Sequence, residues 1–322
     1  MRLSKGFVTG LVAASVLATM LAARVTTQTS DEVPRTAWAA PDLGGVWDYR
    51  SITPLERPEE FADKPVLTEE EAVAFEQEQA EWQSSIDDAE GAPVPGNAIH
   101  TTVFLDWGTA TVADRRSSLI IDPPNGRLPS RTPGAENLPR RRAGSFGTDP
   151  LEQIEDFSLG DRCLGTMGHP VLPLPYNNNV QLFLTEDHLV MFIEMFRTTR
   201  LIPIGDRPFG TLRQDRGESR GRWEGETLVV ETRNFKYGPS QMARGASRDA
   251  VLVERFRRVS PGILEYEFTV DDPATWTTSW SARQTWRKNP APMYEYACHE
   301  GNYGLTNMMR YARYEEAAEG EP

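Results

Sequence analysis

Apolar and polar residues alternate with period two through most of the second half of the chain. In "LEYEFTVDD", Leu264, Tyr266, Phe268 and Val270 fall on one face and Glu265, Glu267, Thr269 and Asp271 on the other, which predicts a strand with one buried face. Turn chemistry separates successive runs. Asp122-Pro123-Pro124-Asn125-Gly126 follows "SSLII", and Glu186-Asp187 divides "VQLFL" from "HLVMFIEMF". Glu224-Gly225-Glu226 and Ser260-Pro261-Gly262 divide two further pairs of runs. These read as hairpins in series. The pattern therefore predicts an all-β protein of about eight to ten antiparallel strands. A meander of that width closes into a β-barrel or folds into a sandwich.

Helical periodicity is confined to two places. Thr68 with Glu71 three residues on forms a capping box ahead of "EEEAVAFEQEQAEWQ", so a peripheral helix is expected over 68–83 with Ala72, Phe75 and Trp82 on one side. Near the C-terminus Leu305, Met308, Met309 and Ala312 make an apolar stripe, which predicts a helix over 303–316. Residues 85–98 and 129–150 are rich in Pro, Gly, Ser and charge and read as long loops. At the N-terminus, Arg2 and Lys5 precede an uncharged run from Gly6 to Ala23. Residues 1–23 thus read as a signal peptide or as an N-terminal anchor, the run standing at the short edge of the ~17 to 25 residues a spanning helix needs. Residues 24–40 read as a disordered leader, 41–316 as a single domain and 317–322 as a disordered tail.

Charge and cysteine content narrow the function. A net charge of −13 argues against nucleic acid, which needs a basic surface to release counterions. Arg140-Arg141-Arg142 is a solitary basic run, and its Pro/Gly-rich setting reads as solvated loop. The N-terminal segment leaves membrane association open. Cys163 and Cys298 are the complete cysteine inventory; in the oxidising periplasmic or extracellular compartment that a signal implies, they form one disulfide with forced connectivity. The chain has no Gly-x-Ser-x-Gly elbow, no phosphate loop and no dinucleotide fingerprint, and His299-Glu300 lacks the second histidine of a zinc-protease helix. His100, His169, His188 and His299 are scattered, so neither metal nor other cofactor is expected.

Four segments, "SRGRWEGETLVVETRNF", "LVERFRRV", "YEFTVDDPATW" and "YEYACHEGN", resemble those of a widespread group of secreted bacterial proteins that is itself uncharacterised. The resemblance spans most of Pro41 to Ala312 and implies export without implying an activity. Gly45-Val46-Trp47 is similar to the Gly-x-Trp entry strand of lipocalins, which implies a lipocalin-like barrel.

Candidate chemistry gathers around the two cysteines. If 294–299 is a strand, Tyr294, Tyr296 and Cys298 point one way and Glu295, Ala297 and His299 the other. His299 is then a candidate general base assisted by Glu300, against the plain alternative of a turn-capping histidine. The disulfide would draw "GDRC" and "PYNNNVQ" to the same place, making Tyr176, Asn177, Asn179, Tyr296 and Asn302 candidate substrate contacts. Consecutive asparagines also suit a simple turn. Glu194 interrupts an apolar run, where a carboxylate needs a reason to be buried, and is a third catalytic candidate; Arg200 shares its parity and could line the same interior. Two functions follow. One is a cofactor-independent lyase, isomerase or hydrolase acting on a small hydrophobic or aromatic molecule; the other is a lipocalin-like carrier of an apolar ligand.

Overall fold

The computed structural model describes residues 32–88, 106–138, 144, 151, 153–165 and 168–319. The signal or anchor segment, His100 and the basic run at 140–142 lie outside them. Among the described residues are ten strands: β1 (Gly45–Asp48), β2 (Ile120–Asp122), β3 (Asn179–Leu184), β4 (His188–Ile193), β5 (Thr198–Pro203), β6 (Glu218–Glu224), β7 (Thr227–Arg233), β8 (Val251–Ser260), β9 (Ile263–Asp271) and β10 (Trp280–Lys288). They form one antiparallel sheet in the order β5-β4-β3-β1-β10-β9-β8-β7-β6, with β2 paired to β10. The two ends nearly meet: Ile204, just past β5, bridges Gly221 of β6, and the Gly205 N–H donates to the Gly221 carbonyl at 2.9 Å. The result is the expected all-β barrel with peripheral helices.

The hairpins β3–β4, β6–β7 and β8–β9 turn at the expected places, and Gly225 supplies a positive φ of 59° in the two-residue turn between β6 and β7. Two pairings depart from a serial meander. β1 lies between β3 and β10, zipping the two halves together. β2 makes no hairpin at its Asp122-Pro123 turn and instead pairs with β10.

Helix α1 (Glu69–Asp88) starts on the expected capping box, with the Thr68 and Glu71 side chains each accepting the other's backbone N–H at 3.2 and 3.0 Å. It runs five residues beyond the expected 83. Helix α2 (Tyr303–Glu319) half-buries Leu305, Met308, Met309 and Ala312, the expected stripe. It reaches into the segment expected as a disordered tail. Residues 33–40, part of the segment expected as a leader, are among the described residues. They form a turn in which the Thr36 N–H donates to Ala40 O at 2.9 Å, and Arg35 pairs with Glu226 at 2.7 Å. Among the described residues no helix is long and apolar enough to cross a membrane. Cys163 and Cys298 form the expected disulfide, with Cα atoms 5.7 Å apart, and a disulfide suits an oxidising compartment.

The barrel interior is filled. Trp47, Phe256, Tyr266, Phe268, Trp280 and Trp286 are completely buried. Tyr266 stacks on Trp286 at 4.5 Å, and Phe268 meets Trp280 edge-on at 5.5 Å. One end is stoppered by the chain around Val171, whose N–H donates to the Tyr266 hydroxyl at 3.1 Å and whose carbonyl accepts from Gln284 at 2.5 Å. Tyr266 donates to Glu254 Oε1 at 2.7 Å. Glu254 Oε2 pairs with the Arg200 guanidinium at 2.6 Å, and both charges are almost wholly out of water. Arg200 also donates to Ser219 and Thr232 at 3.0 and 2.6 Å. A polar chain thus crosses an aromatic core, joined at its centre by the Arg200–Glu254 ion pair.

His169, beside the stopper, is 2% exposed. Burial, reinforced by the Arg200 and Arg216 charges, holds its pKa well below the usual histidine range, so it is neutral in the fold. Unfolded, it takes up a proton below about pH 6.5. Stability gained from the neutral form is therefore complete above that pH and is lost as pH falls toward the depressed folded value, at about 1.4 kcal/mol per unit. Denaturant melts at pH 7, 6 and 5 should show this slope, and His169→Phe should flatten it.

Candidate functional site

Five of the expected site residues meet in one cleft of about 580 Å³, lined by Arg50, Asp106, Tyr176, Asn177, Asn178, Asn179, Glu194, Asn289, Tyr294 and Tyr296. It lies outside the packed lumen. Its walls come from the chain just after β1, the turn before β3, the residue after β4 and the segment after β10.

The three asparagines do three different things. Asn177 adopts a left-handed φ of 56° and its carbonyl accepts from Tyr49 at 3.3 Å, the turn role that Asn backbone tolerates. Asn178 is buried, with its side chain bonded to both backbone groups of Leu174 at 2.7 Å and to Asp106 O at 2.9 Å; it ties the turn to the loop beyond β1. Asn179 reaches the site. Its amide donates to Glu194 Oε2 at 2.8 Å and its oxygen accepts from Asn289 at 2.9 Å.

Glu194 is 3% exposed and stands at the end of β4, where the chain turns sharply. Phe196 and Arg197 both have positive φ, 56° and 51°, a conformation that costs side-chain-bearing residues energy and is found at functional sites. That break corrects one expectation. Glu194 and Arg200 do not share a strand: the chain reverses between them, leaving Glu194 at the cleft and Arg200 in the lumen with Glu254. Arg200 is therefore not among the residues that line the cleft.

On the opposite wall the Tyr176 and Tyr296 hydroxyls are hydrogen-bonded to each other. Burial raises both pKa values; the shared bond raises Tyr176 further and partly offsets the rise at Tyr296. Tyr296 also packs on Phe196 at 4.9 Å, so the strained turn and the C-terminal segment support one another. Tyr294 leaves an open ring face, being 74% exposed. The one cation of the lining, Arg50, is neutralised by Asp48 at 2.6 Å and Asp106 at 2.5 Å.

The remaining expected residues lie elsewhere. Residues 294–299 form no ladder, so the expected strand is absent; the alternation persists in burial only over 295–299, where Tyr296 and Cys298 are half-buried and Glu295, Ala297 and His299 exposed, while Tyr294 is exposed. His299 and Glu300 sit on the exposed turn after the disulfide, away from the cleft lining. Asn302 has a structural task. Its amide donates to Asp161 O at 2.9 Å and to Cys163 Sγ at 3.4 Å, and its oxygen receives the Leu305 N–H at the start of α2. Arg50, Asp106, Asn289 and Tyr294 were not legible as site residues. Only Tyr294 carried a signal, its parity with Tyr296 and Cys298.

Among the described residues no group of three or more His, Cys, Asp or Glu side chains could hold a metal ion. The arrangement offers one buried carboxylate with an oxygen fixed in place, several amide donors and acceptors, a pair of phenols and an exposed aromatic face. These groups suit a small molecule with several hydroxyl or amide groups and one apolar ring face. No protein-family model, curated protein or solved structure matches the chain, so the chemistry of this cleft is what speaks for its function.

Proposed function

We propose that the chain is an exported, cofactor-independent enzyme that uses Glu194 as an acid/base residue on a small, hydrogen-bonding molecule in the polar cleft. The observation that carries this reading is Glu194 itself: a carboxylate 3% exposed, lining a cleft, with Oε2 held by Asn179. Burying a carboxylate costs several kcal/mol unless it is paired or hydrogen-bonded, and a single amide contact is a small return for structure alone. Held by Asn179, which Asn289 holds in turn, it is oriented as a proton acceptor needs to be.

Asn177 and Asn179 position polar groups of the substrate, the Tyr176–Tyr296 pair supplies hydroxyl donors, and Tyr294 covers a ring face. The reaction class is proton transfer, as in a lyase, isomerase or hydrolase. The substrate class moves from apolar to polar because the cleft is lined by amides and carboxylates. Carriage of an apolar ligand in the lumen is disfavoured by the aromatic packing that fills it.

The test is to incubate the protein with a mixture of small polyhydroxy and amide-bearing compounds and to follow each mass with time. A compound consumed by the wild type and left intact by Asn179→Ala supports the proposal. Binding of a compound that is recovered with both its mass and its chromatographic retention unchanged would return the protein to the carrier class.

A further inference from the structure

A second cavity, of about 280 Å³, lies where α1 meets the chain that follows β1 and the stopper segment. Its chemistry is the opposite of the cleft's. Trp82, Trp107, Leu172 and Met242 supply an apolar and aromatic lining, Gln83 adds an amide, and Arg244 is the one charged residue among the lining groups; no carboxylate lines it. In a chain of net charge −13, a cavity with a cation and no acid is an exception.

Two further observations single out Arg244. Arg244 is exposed, and among the described residues no carboxylate lies within 4.0 Å of it. It also holds a left-handed φ of 54°, next to Gly245 at 84°, a strained setting for a residue with a long side chain.

We propose that this cavity is a second ligand site, specific for a small aromatic carboxylate. The ring enters between Trp82, Trp107 and Met242, and the carboxylate stays at the mouth on Arg244. The placement follows from energetics: a flat apolar ring gains from burial and from tryptophan faces, whereas a carboxylate is costly to bury and is held best by a guanidinium at the rim. The volume lies just below the ~300 to 1,000 Å³ usual for small-molecule pockets, which selects one or two fused rings. Nothing in this site depends on Glu194 or on the cleft.

Isothermal titration of the full-length protein with 2-naphthoate, and with 2-naphthalenemethanol as its neutral counterpart, tests the proposal. The acid should bind saturably and at least about tenfold more tightly than the alcohol, the discrimination expected of one charge-assisted hydrogen-bonding contact. Arg244→Gln, a change on an exposed side chain, should erase that preference while leaving alcohol binding unchanged. Glu194→Gln should alter neither ligand. The proposal is overturned by absence of saturable naphthoate binding, by equal affinity for acid and alcohol, by a preference that survives Arg244→Gln, or by loss of binding in Glu194→Gln, which would put the ligand in the cleft.

Discussion

Glu254→Leu is expected to destabilise the protein by about 3 to 5 kcal/mol, because it strands the Arg200 guanidinium in the barrel interior. Arg200 is 6% exposed and Glu254 fully buried, so water cannot replace the lost partner. The same substitution removes the acceptor of the Tyr266 hydroxyl, whose own N–H contact from Val171 ties the stopper to the wall. The double variant Arg200→Met/Glu254→Leu should recover most of the loss, since it removes both charges and leaves Ser219 and Thr232 to pair with each other at their present 3.0 Å. Urea unfolding of the two single variants and the double variant makes a coupling cycle. A double variant destabilised by the sum of the two single losses would mean that the ion pair does not couple these strands.

The second large effect concerns the disulfide. Cys163→Ala/Cys298→Ala opens a loop spanning 135 residues and should lower stability by about 4 to 5 kcal/mol by the chain-entropy argument, an upper bound. The consequence for the cleft is separate. Tyr294 and Tyr296 stand on a segment that pairs with no strand, and the disulfide, Asn289 and the Arg197–Glu295 ion pair at 3.2 Å hold it in place. Freed of its covalent tether, the segment should take the Tyr296 hydroxyl away from Tyr176 and weaken ligand binding even under conditions where the barrel remains folded. Guanidinium unfolding measures the first effect and titration of a cleft ligand the second. A stability change below about 1 kcal/mol, the size of an ordinary surface substitution, would contradict the argument.

How much of this was legible in the sequence depended on the range of the interaction. Strand β9 could be read from Leu264, Tyr266, Phe268 and Val270 because burial on one face imposes period two on the residues themselves. The start of α1 could be read from Thr68 and Glu71 because the capping box is a local exchange of hydrogen bonds. The insertion of β1 between β3 and β10 could not, since nothing in "GVWD" specifies a partner more than 130 residues away. The break after Glu194 was invisible for another reason. Phe196 and Arg197 have no preference for positive φ, so their conformation is imposed by the surrounding packing, while a continuous apolar run by itself predicts a continuous strand. Asn177 was the converse case, an Asn in a turn where left-handed backbone is cheap.

The same distinction explains the candidate site. The proximity of "PYNNNVQ" to "YEYACHEGN" followed from two cysteines having one possible bond. Which side of the tethered segment faced the cleft did not follow, because the segment forms no ladder. Tyr296 points in and His299 points out. Glu254 carried a signal that went unread: in "VLVERFRRV" it falls between Leu252 and Phe256 on the buried face, the same anomaly that singled out Glu194.

The central claim is that proton transfer belongs to Glu194 in the polar cleft and not to His299 on the exposed turn. Steady-state turnover of a substrate found among the hydroxylated compounds, measured for Glu194→Gln and His299→Gln beside the wild type, tests it most directly. Glu194→Gln keeps the shape and the Asn179 contact but removes the titratable group, and turnover should fall ~100-fold or more. His299→Gln should leave turnover within about twofold and stability within about 0.5 kcal/mol, as expected of a surface change away from the chemistry. Full activity in Glu194→Gln together with its loss in His299→Gln would contradict the account.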